Sequence, residues 1–189
     1  MNPQTAQIHG QERPFGQEIH AALMKRGMAI VGDGTVSPLD ILVINRPVTI
    51  SNLAFDAVTD DQFDEVMGDM IYDVVEIVQT YLPRLNPGSR IVLVGSRGHL
   101  GAWGGVHHMA ASAALAGLMR TMALEFAARD IAVNLVAGGF VGSTWDTPES
   151  RRNIANTACF LAEPDTGLFG ETVIVDGGRS LRMTESRNR

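Results

Sequence analysis

Ser89-Arg90-Ile91-Val92-Leu93-Val94 opens the stretch that decides the fold. Four consecutive apolar residues, two of them valines, mark a strand buried on both faces. The run passes into Gly95-Ser96-Arg97-Gly98, a glycine-bounded loop. A long helix rich in small residues is expected next, from about Val106 to Arg129. A second strand follows, Ile131-Ala132-Val133-Asn134-Leu135-Val136, closed by Ala137-Gly138-Gly139. Strand, helix and strand in this order form a crossover unit, with parallel strands and the helix lying over them.

The pattern repeats outward in both directions. Leu39-Asp40-Ile41-Leu42-Val43-Ile44 reads as a strand ending at the breaker Asn45-Arg46-Pro47. From Asp60 to Leu85 the apolar residues Phe63, Val66, Met67, Met70, Ile71, Val74, Val78 and Leu82 keep helical spacing. Thr59 or Asp60 is placed to cap this helix, and Pro83 and Pro87 to stop it. Downstream, a helix is expected near Pro148 to Leu161, then the strand Thr172-Val173-Ile174-Val175, closed by Asp176-Gly177-Gly178. Upstream, Gly16 to Arg26 is amphipathic and ends before Gly27, a good C-terminal stop. Met28-Ala29-Ile30-Val31 reads as a strand. Only Gly32 to Pro38 separates it from the next strand, short for a parallel crossover. Either this strand pairs unusually or the connection is stretched. The whole chain, 1–189, reads as one α/β domain with a mostly parallel sheet, and 1–14 and 182–189 read as flexible ends.

Composition narrows the function classes. The formal charge of −6 argues against a nucleic-acid or anionic-membrane surface. The single cysteine, Cys159, excludes an internal disulfide framework and sits in an apolar run suited to core packing. No stretch is apolar for long enough to span a bilayer, and residues 1–14 lack the apolar region of a signal peptide. A cytoplasmic protein is the expectation. His99, His107 and His108 lie close in sequence, but with no convincing third-ligand spacing and no carboxylate partner, so no metal site is expected.

From about residue 8 onward the order of elements resembles the short-chain dehydrogenase/reductase family. Ser89 to Ser96 is similar to the family's G-x-I-V-x-x-S-S. Ile131 to Gly139 is similar to I-x-V-N-x-V-x-P-G. Thr147 to Gly178 is similar to T-P-E-x-x-A-x-x-x-x-F-L-A followed by G-x-x-x-x-V-D-G-G. His108-Met109-Ala110-Ala111-Ser112-Ala113-Ala114-Leu115 stands where the family has Y-x-x-x-K-A-A-L. The resemblance implies a Rossmann-like, doubly wound sheet, here with a reduced N-terminal half. It also implies oxidoreductase chemistry with a nicotinamide dinucleotide.

The departures fall on that chemistry. The family's catalytic Asn, Ser, Tyr and Lys correspond to Met70, Ser96, His108 and Ser112, so only Ser96 keeps its type. The family tyrosine is the acid/base, and the lysine lowers its pKa and holds the ribose. Ser112 has no charge and is too short for either task. The nucleotide turn T-G-x-x-x-G-x-G becomes His9 to Gly16, which keeps Gly10 and Gly16 but places Pro14, without an N–H, at the middle glycine. Asp33 reads either as the acidic residue that binds the adenosine ribose or as a turn residue. Asn45 remains from N-N-A-G, with Arg46 and Pro47 in place of its small residues. The helix-strand-helix block after the second strand is missing, and so is most of the substrate lid.

Several positions keep two readings. Ser96 is a remnant catalytic hydroxyl or a turn residue bonding its own backbone. His108 is a proton carrier sharing a pocket with Ser96, or a helix-end histidine satisfied locally. Trp103 and Trp145 fill the nicotinamide space or anchor an interface. The best-kept segments, 106–129 and 148–178, are by resemblance the family's subunit interfaces. The expectation is a non-catalytic subunit, in a homo- or hetero-oligomer formed through these segments with an intact member of the family. No cofactor is expected in this chain, and NAD(P) is expected in the partner. The alternatives are an NAD(P)-dependent alcohol or carbonyl oxidoreductase with an atypical site, and a cofactor-free lyase, hydratase or isomerase using His108.

Overall fold

The computed structural model describes residues 3–32, 38–49 and 51–182. The apolar runs become strands: β1 (Thr5–His9), β2 (Ala29–Ile30), β3 (Leu39–Asn45), β4 (Leu85–Ser96), β5 (Ala132–Gly138) and β6 (Thr172–Val175). All pair in parallel, in the order β2-β1-β3-β4-β5-β6. The helices are α1 (Gly16–Lys25), α2 (Asp60–Met67), α3 (Asp73–Tyr81), α4 (Val106–Phe126) and α5 (Pro148–Ala162). This is the expected doubly wound, Rossmann-like sheet.

The central strands β3, β4 and β5 are mostly apolar because both faces are covered. Leu42, Ile44, Ile91, Leu93, Val133 and Leu135 belong to one core, with Val74 and Val78 of α3 and Leu115 and Met119 of α4. Their sequence neighbours Ile41, Val43, Val92, Val94 and Val136 belong to the other, with Ile19 and Leu23 of α1 and Ile154 and Ala158 of α5. The alternation is the two-residue period of a strand read on both faces. Cys159 is buried in the second core, where burial pushes its thiol pKa up.

The segment from α2 to the start of β4 departs in part from the sequence expectations. The predicted 60–85 helix is two helices joined by a π-helical turn, Gly68–Tyr72. Thr59 is its cap, exchanging hydrogen bonds with Gln62. Pro83 lies in a short 3-10 turn, Leu82–Arg84, and β4 starts at once at Leu85 and runs through Pro87. The pairing with β3 shifts between Leu39↔Leu85 and Ile41↔Arg90, an irregularity that gives the proline a place in a strand.

The N-terminal end is the larger correction. Within the expected flexible end 1–14, of which residues 1 and 2 lie outside the described residues, Thr5–His9 forms an inner strand between β2 and β3, with Ala6, Gln7 and Ile8 buried. The backbone bonds on both sides outweigh its polar composition. Of the expected flexible end 182–189, residues 183–189 lie outside the described residues.

The short connection before β3 also has a geometric answer. The strand is only Ala29–Ile30, and Ile30 lies level with Ala6, which is itself level with Ile41 of β3. The ends to be joined are two strand spacings apart, about 10 Å, at nearly the same height. A full-length second strand would place them much farther apart.

Leu93 is 1% exposed at the centre of this sheet. Leu93→Ala should lower the unfolding free energy by about 2–5 kcal/mol, read from urea denaturation followed by circular dichroism.

Candidate functional site

The sheet order reverses between β1 and β3, because the chain leaves β1 towards β2 and then crosses to the other side of β1. Doubly wound sheets bind ligands at this point, outside the carboxyl ends of the strands. The turn after β1, the end of β3, the π turn and the start of α4 all meet there.

Gly10, Gly16 and Asn45 are brought together as the sequence implied, and they hold one another. Gly10 has φ +81°, and a methyl group built on it would lie 2.5 Å from the Asn45 carbonyl oxygen. One on Gly16 would lie 2.3 Å from the carbonyl oxygen of Gln11. The Asn45 amide, fully buried, donates to the carbonyls of Gly10 and Pro14, both at 2.9 Å. Phe15 takes the position before α1 with φ 75°, a left-handed conformation that costs a non-glycine residue on the order of 1–2 kcal/mol. Burial of its ring, 1% exposed, offsets that cost. Asp33 lies outside the described residues.

Beside this turn stands an ion-pair lattice that the sequence reading missed. Arg13 grips Asp69 with both terminal nitrogens, at 2.8 and 2.5 Å. Arg46, 7% exposed, lies 3.7 Å from Asp69 and 3.5 Å from Asp73. Burial works to raise the Asp69 pKa, but the hydrogen bonds and charge of Arg13, helped by Arg46, hold it below the ordinary range. The Arg46 pKa is lowered by burial and then by repulsion from Arg13, while Asp69 raises that of Arg13. The available signal was Asp69 and Asp73 at helical i,i+4 spacing, with arginines at two positions where the family pattern has small or unspecified residues.

The two serines of the expected catalytic set form a closed circuit. The Gly98 N–H donates to Ser96 Oγ at 3.1 Å, Ser96 Oγ lies 3.0 Å from Ser112 Oγ, and Ser112 Oγ donates to the His108 carbonyl at 2.8 Å. Each hydroxyl has one proton. Since that of Ser112 goes to the carbonyl, the Ser96 proton goes to Ser112. Neither hydroxyl has a proton left for a substrate, and the two residues are 2% and 1% exposed. The turn-residue reading of Ser96 therefore describes its bonding. Met70 lies in the π turn, a geometry frequent at functional sites, yet its side chain is packed into the core.

His108 does not share the surroundings of Ser96. It lines a cavity of about 460 Å³ with Arg13, Glu65, Asp69 and Met70, a wall to which Ser96 does not contribute. Its ring lies 4.3 Å from that of His107. His107 is 4% exposed, and its Nδ1 has no hydrogen-bond partner. Burial lowers both histidine pKa values, and the proximity of His107 lowers that of His108 further. Both stand in the first turn of α4, where the helix dipole also opposes a positive charge. Among the described residues no three His, Cys, Asp or Glu side chains group as metal ligands.

The two tryptophans part company. Trp145 is buried, its ring across Gly139 just beyond β5, while Trp103 is 77% exposed. A dinucleotide diphosphate does not fit the turn in this form. Pro14 offers it no N–H, the arginines already face carboxylates, and Ser112 has no charge for the ribose. A polar cavity of about 460 Å³, lined by Gly10, Glu12, His20 and Arg46, remains on the β2 side.

Residues 24–151 match the family model described as enoyl-(acyl carrier protein) reductase. The 3-oxoacyl-[acyl-carrier-protein] reductase FabG of Vibrio harveyi is 30% identical over 162 residues, 74% of this chain and 66% of that protein. The chain thus spans just under two thirds of that relative's length. The (2S)-[(R)-hydroxy(phenyl)methyl]succinyl-CoA dehydrogenase subunit BbsD of Thauera aromatica is 37% identical over 115 residues, 51% of this chain and 46% of that protein. A short-chain dehydrogenase/reductase structure from Serratia marcescens superposes with a TM-score of 0.80 at 23% identity, covering 94% of this chain and 97% of that one. A blue fluorescent protein from a metagenomic library, in complex with NADPH, superposes with a TM-score of 0.78 at 21% identity, covering 94% and 98%. These two likenesses concern the fold.

The buried histidines give the molecule an acid limit. Their folded-state pKa values lie below the unfolded value of about 6.5, so the unfolded chain binds more protons as pH falls through that value. Stability should be full above about pH 7 and decline as pH drops from 6.5 towards the lowered folded values. Thermal melts at stepped pH check this, and His107→Gln should flatten the slope.

Proposed function

This chain belongs to the short-chain dehydrogenase/reductase family, and from that premise we propose that it is a non-catalytic subunit supporting an intact member of the family in a heteromeric oxidoreductase. The observation that carries the reading is the closed serine circuit. Hydride-transfer enzymes need a group that gives or takes a proton at the reacting carbonyl or alcohol. Here Ser96 and Ser112 spend their protons on each other and on the backbone, and His108 faces another cavity.

The docking side of the proposal rests on α4. Ala110, Ala113, Ala114, Gly117, Thr121 and Leu124 are half-buried or exposed along one side of this helix. Positions 110, 114, 117, 121 and 124 step by four and three, the spacing of a helix-packing seam. Leu124 is 80% exposed at the end of that stripe. Small residues let a second helix approach closely and leave little side-chain entropy to lose. The relative from Thauera aromatica is named as a subunit of a dehydrogenase, which agrees with this kind of assembly.

The competing reading is an NAD(P)-dependent oxidoreductase with an atypical site. The cavity on the β2 side and the NADPH complex of one structural neighbour favour it.

Native mass spectrometry of the tagged protein purified from its own host separates the two. A complex with a full-length dehydrogenase, with nicotinamide held by the partner alone, is the expected result. A homomer carrying its own nucleotide defeats the proposal. In the same assay Leu124→Arg should reduce complex formation at least tenfold while leaving the urea midpoint of the isolated chain unchanged.

A further inference from the structure

The charge of the chain is unevenly placed. Residues 47–83 hold eight of its 21 acidic residues and none of its 15 Lys and Arg, so this segment accounts for the whole of the net −6. Within it, Asp69 and Asp73 face Arg13 and Arg46. Asp60, Asp61, Asp64 and Glu65 of α2 are exposed and have no cationic partner among the described residues. They share one side of the helix, where the 60–64 and 61–65 pairs repel at i,i+4 spacing. Just before them, in the 3-10 turn Phe55–Ala57, the Phe55 ring is 80% exposed. An unburied aromatic ring followed by a row of carboxylates has the make-up of an interface anchor and its polar rim.

The complementary surface lies on the other side of the sheet. α2 packs with the core under α3 and α4, while α1 and α5 cover the opposite face. Between α1 and α5 runs an open groove of about 500 Å³, floored by Ala21, Ala22 and Ala155. Four charged residues line it: Glu18, Lys25, Arg26 and Arg152. Arg26 lies 3.3 Å from Glu163, and Glu18 lies 4.0 Å from Arg151, which Asp146 holds at 2.7 Å. Lys25 and Arg152 are exposed and have no carboxylate partner among the described residues. With Arg151, Glu163 and Asp146 all included, the balance at the groove remains positive.

We propose that this groove receives the 55–65 segment of a second copy of this chain, with Phe55 on the alanine floor and the α2 carboxylates against Lys25 and Arg152. The lengths agree. The eight residues of α2 span about 12 Å, and the seven-residue step from Glu18 to Lys25 spans about 10.5 Å. The small floor residues admit the ring, and the cations relieve the repulsion along α2. Two different surfaces meet, so the contact is head-to-tail and builds open chains or a ring. They lie on opposite faces of the sheet, so one copy can hold both neighbours. The contact is separate from the α4 stripe, and its complementary charges make it sensitive to salt.

Sedimentation velocity of the full chain over a concentration series tests this, at about 0.01 M and about 1 M salt, where charges are screened beyond roughly 30 Å and 3 Å. At low salt the mass should grow with concentration, and at high salt that growth should vanish. Lys25→Glu with Arg152→Glu in one variant, and Asp61→Lys with Asp64→Lys in another, should each weaken association at least tenfold. All four side chains are exposed, and both variants should keep the circular dichroism spectrum of the natural chain. Mixing the two in equal amounts should restore association, since one supplies an intact α2 and the other an intact groove. A natural chain that stays the same size at every concentration in low salt overturns the proposal. So does growth that survives high salt or either charge reversal, which belongs to an apolar contact such as the α4 stripe. A mixture of folded variants that behaves as its separate components overturns it as well.

Discussion

The amide of Asn45 holds the switch point together. It is fully buried at the end of β3, and its two hydrogens go to carbonyls on the turn after β1. That pair of bonds sets how closely the turn approaches β3, and the close approach requires the left-handed glycine at position 10. Arg13, carried by the same turn, is thereby placed opposite Asp69 of the π turn. A shorter or apolar side chain at position 45 would remove both of these bonds, leaving the Gly10 carbonyl only the Arg13 N–H, at about 0.5–1.5 kcal/mol per bond lost. The ion-pair lattice, the entry to α1 and the floor of the crevice all follow from this one contact.

The lattice changes the electrostatics expected at such a crevice. Helix starts and glycine turns in doubly wound sheets present positive potential to an external anion. Here the anion is internal: Asp69 and Asp73 face the arginines from the adjacent helical layer. The bidentate Arg13–Asp69 contact fixes the geometry of this wall of the crevice.

The fold was legible in the sequence because its signals are cooperative. Five apolar runs, each followed closely by glycine or asparagine, leave few topologies once the strands are parallel. β1 was read as part of a flexible end, since Gln7 and His9 obscure the apolar period, and backbone pairing on both sides makes it a strand. The candidate site was legible in its losses: Pro14, Met70, His108 and Ser112 each lack an atom that the family chemistry requires. What filled the gaps was not legible. Arg13 and Asp69 are 56 residues apart, and neither has meaning until the β1 turn and the π turn meet. His108 and Ser96 are close along the chain, and one of the two readings of His108 placed them in a shared pocket. A helix start turns the histidine towards Asp69, while the serine is used up behind it.

The serine circuit also limits what can stand at position 112. A methyl group built on Gly98 would lie 2.6 Å from Ser112 Oγ, so the turn after β4 has settled onto a short side chain at position 112. A lysine introduced there alone meets that turn and breaks two hydrogen bonds before it reaches any ribose. A hydrogen-bonded serine and a longer cation at this position therefore need different turns after β4.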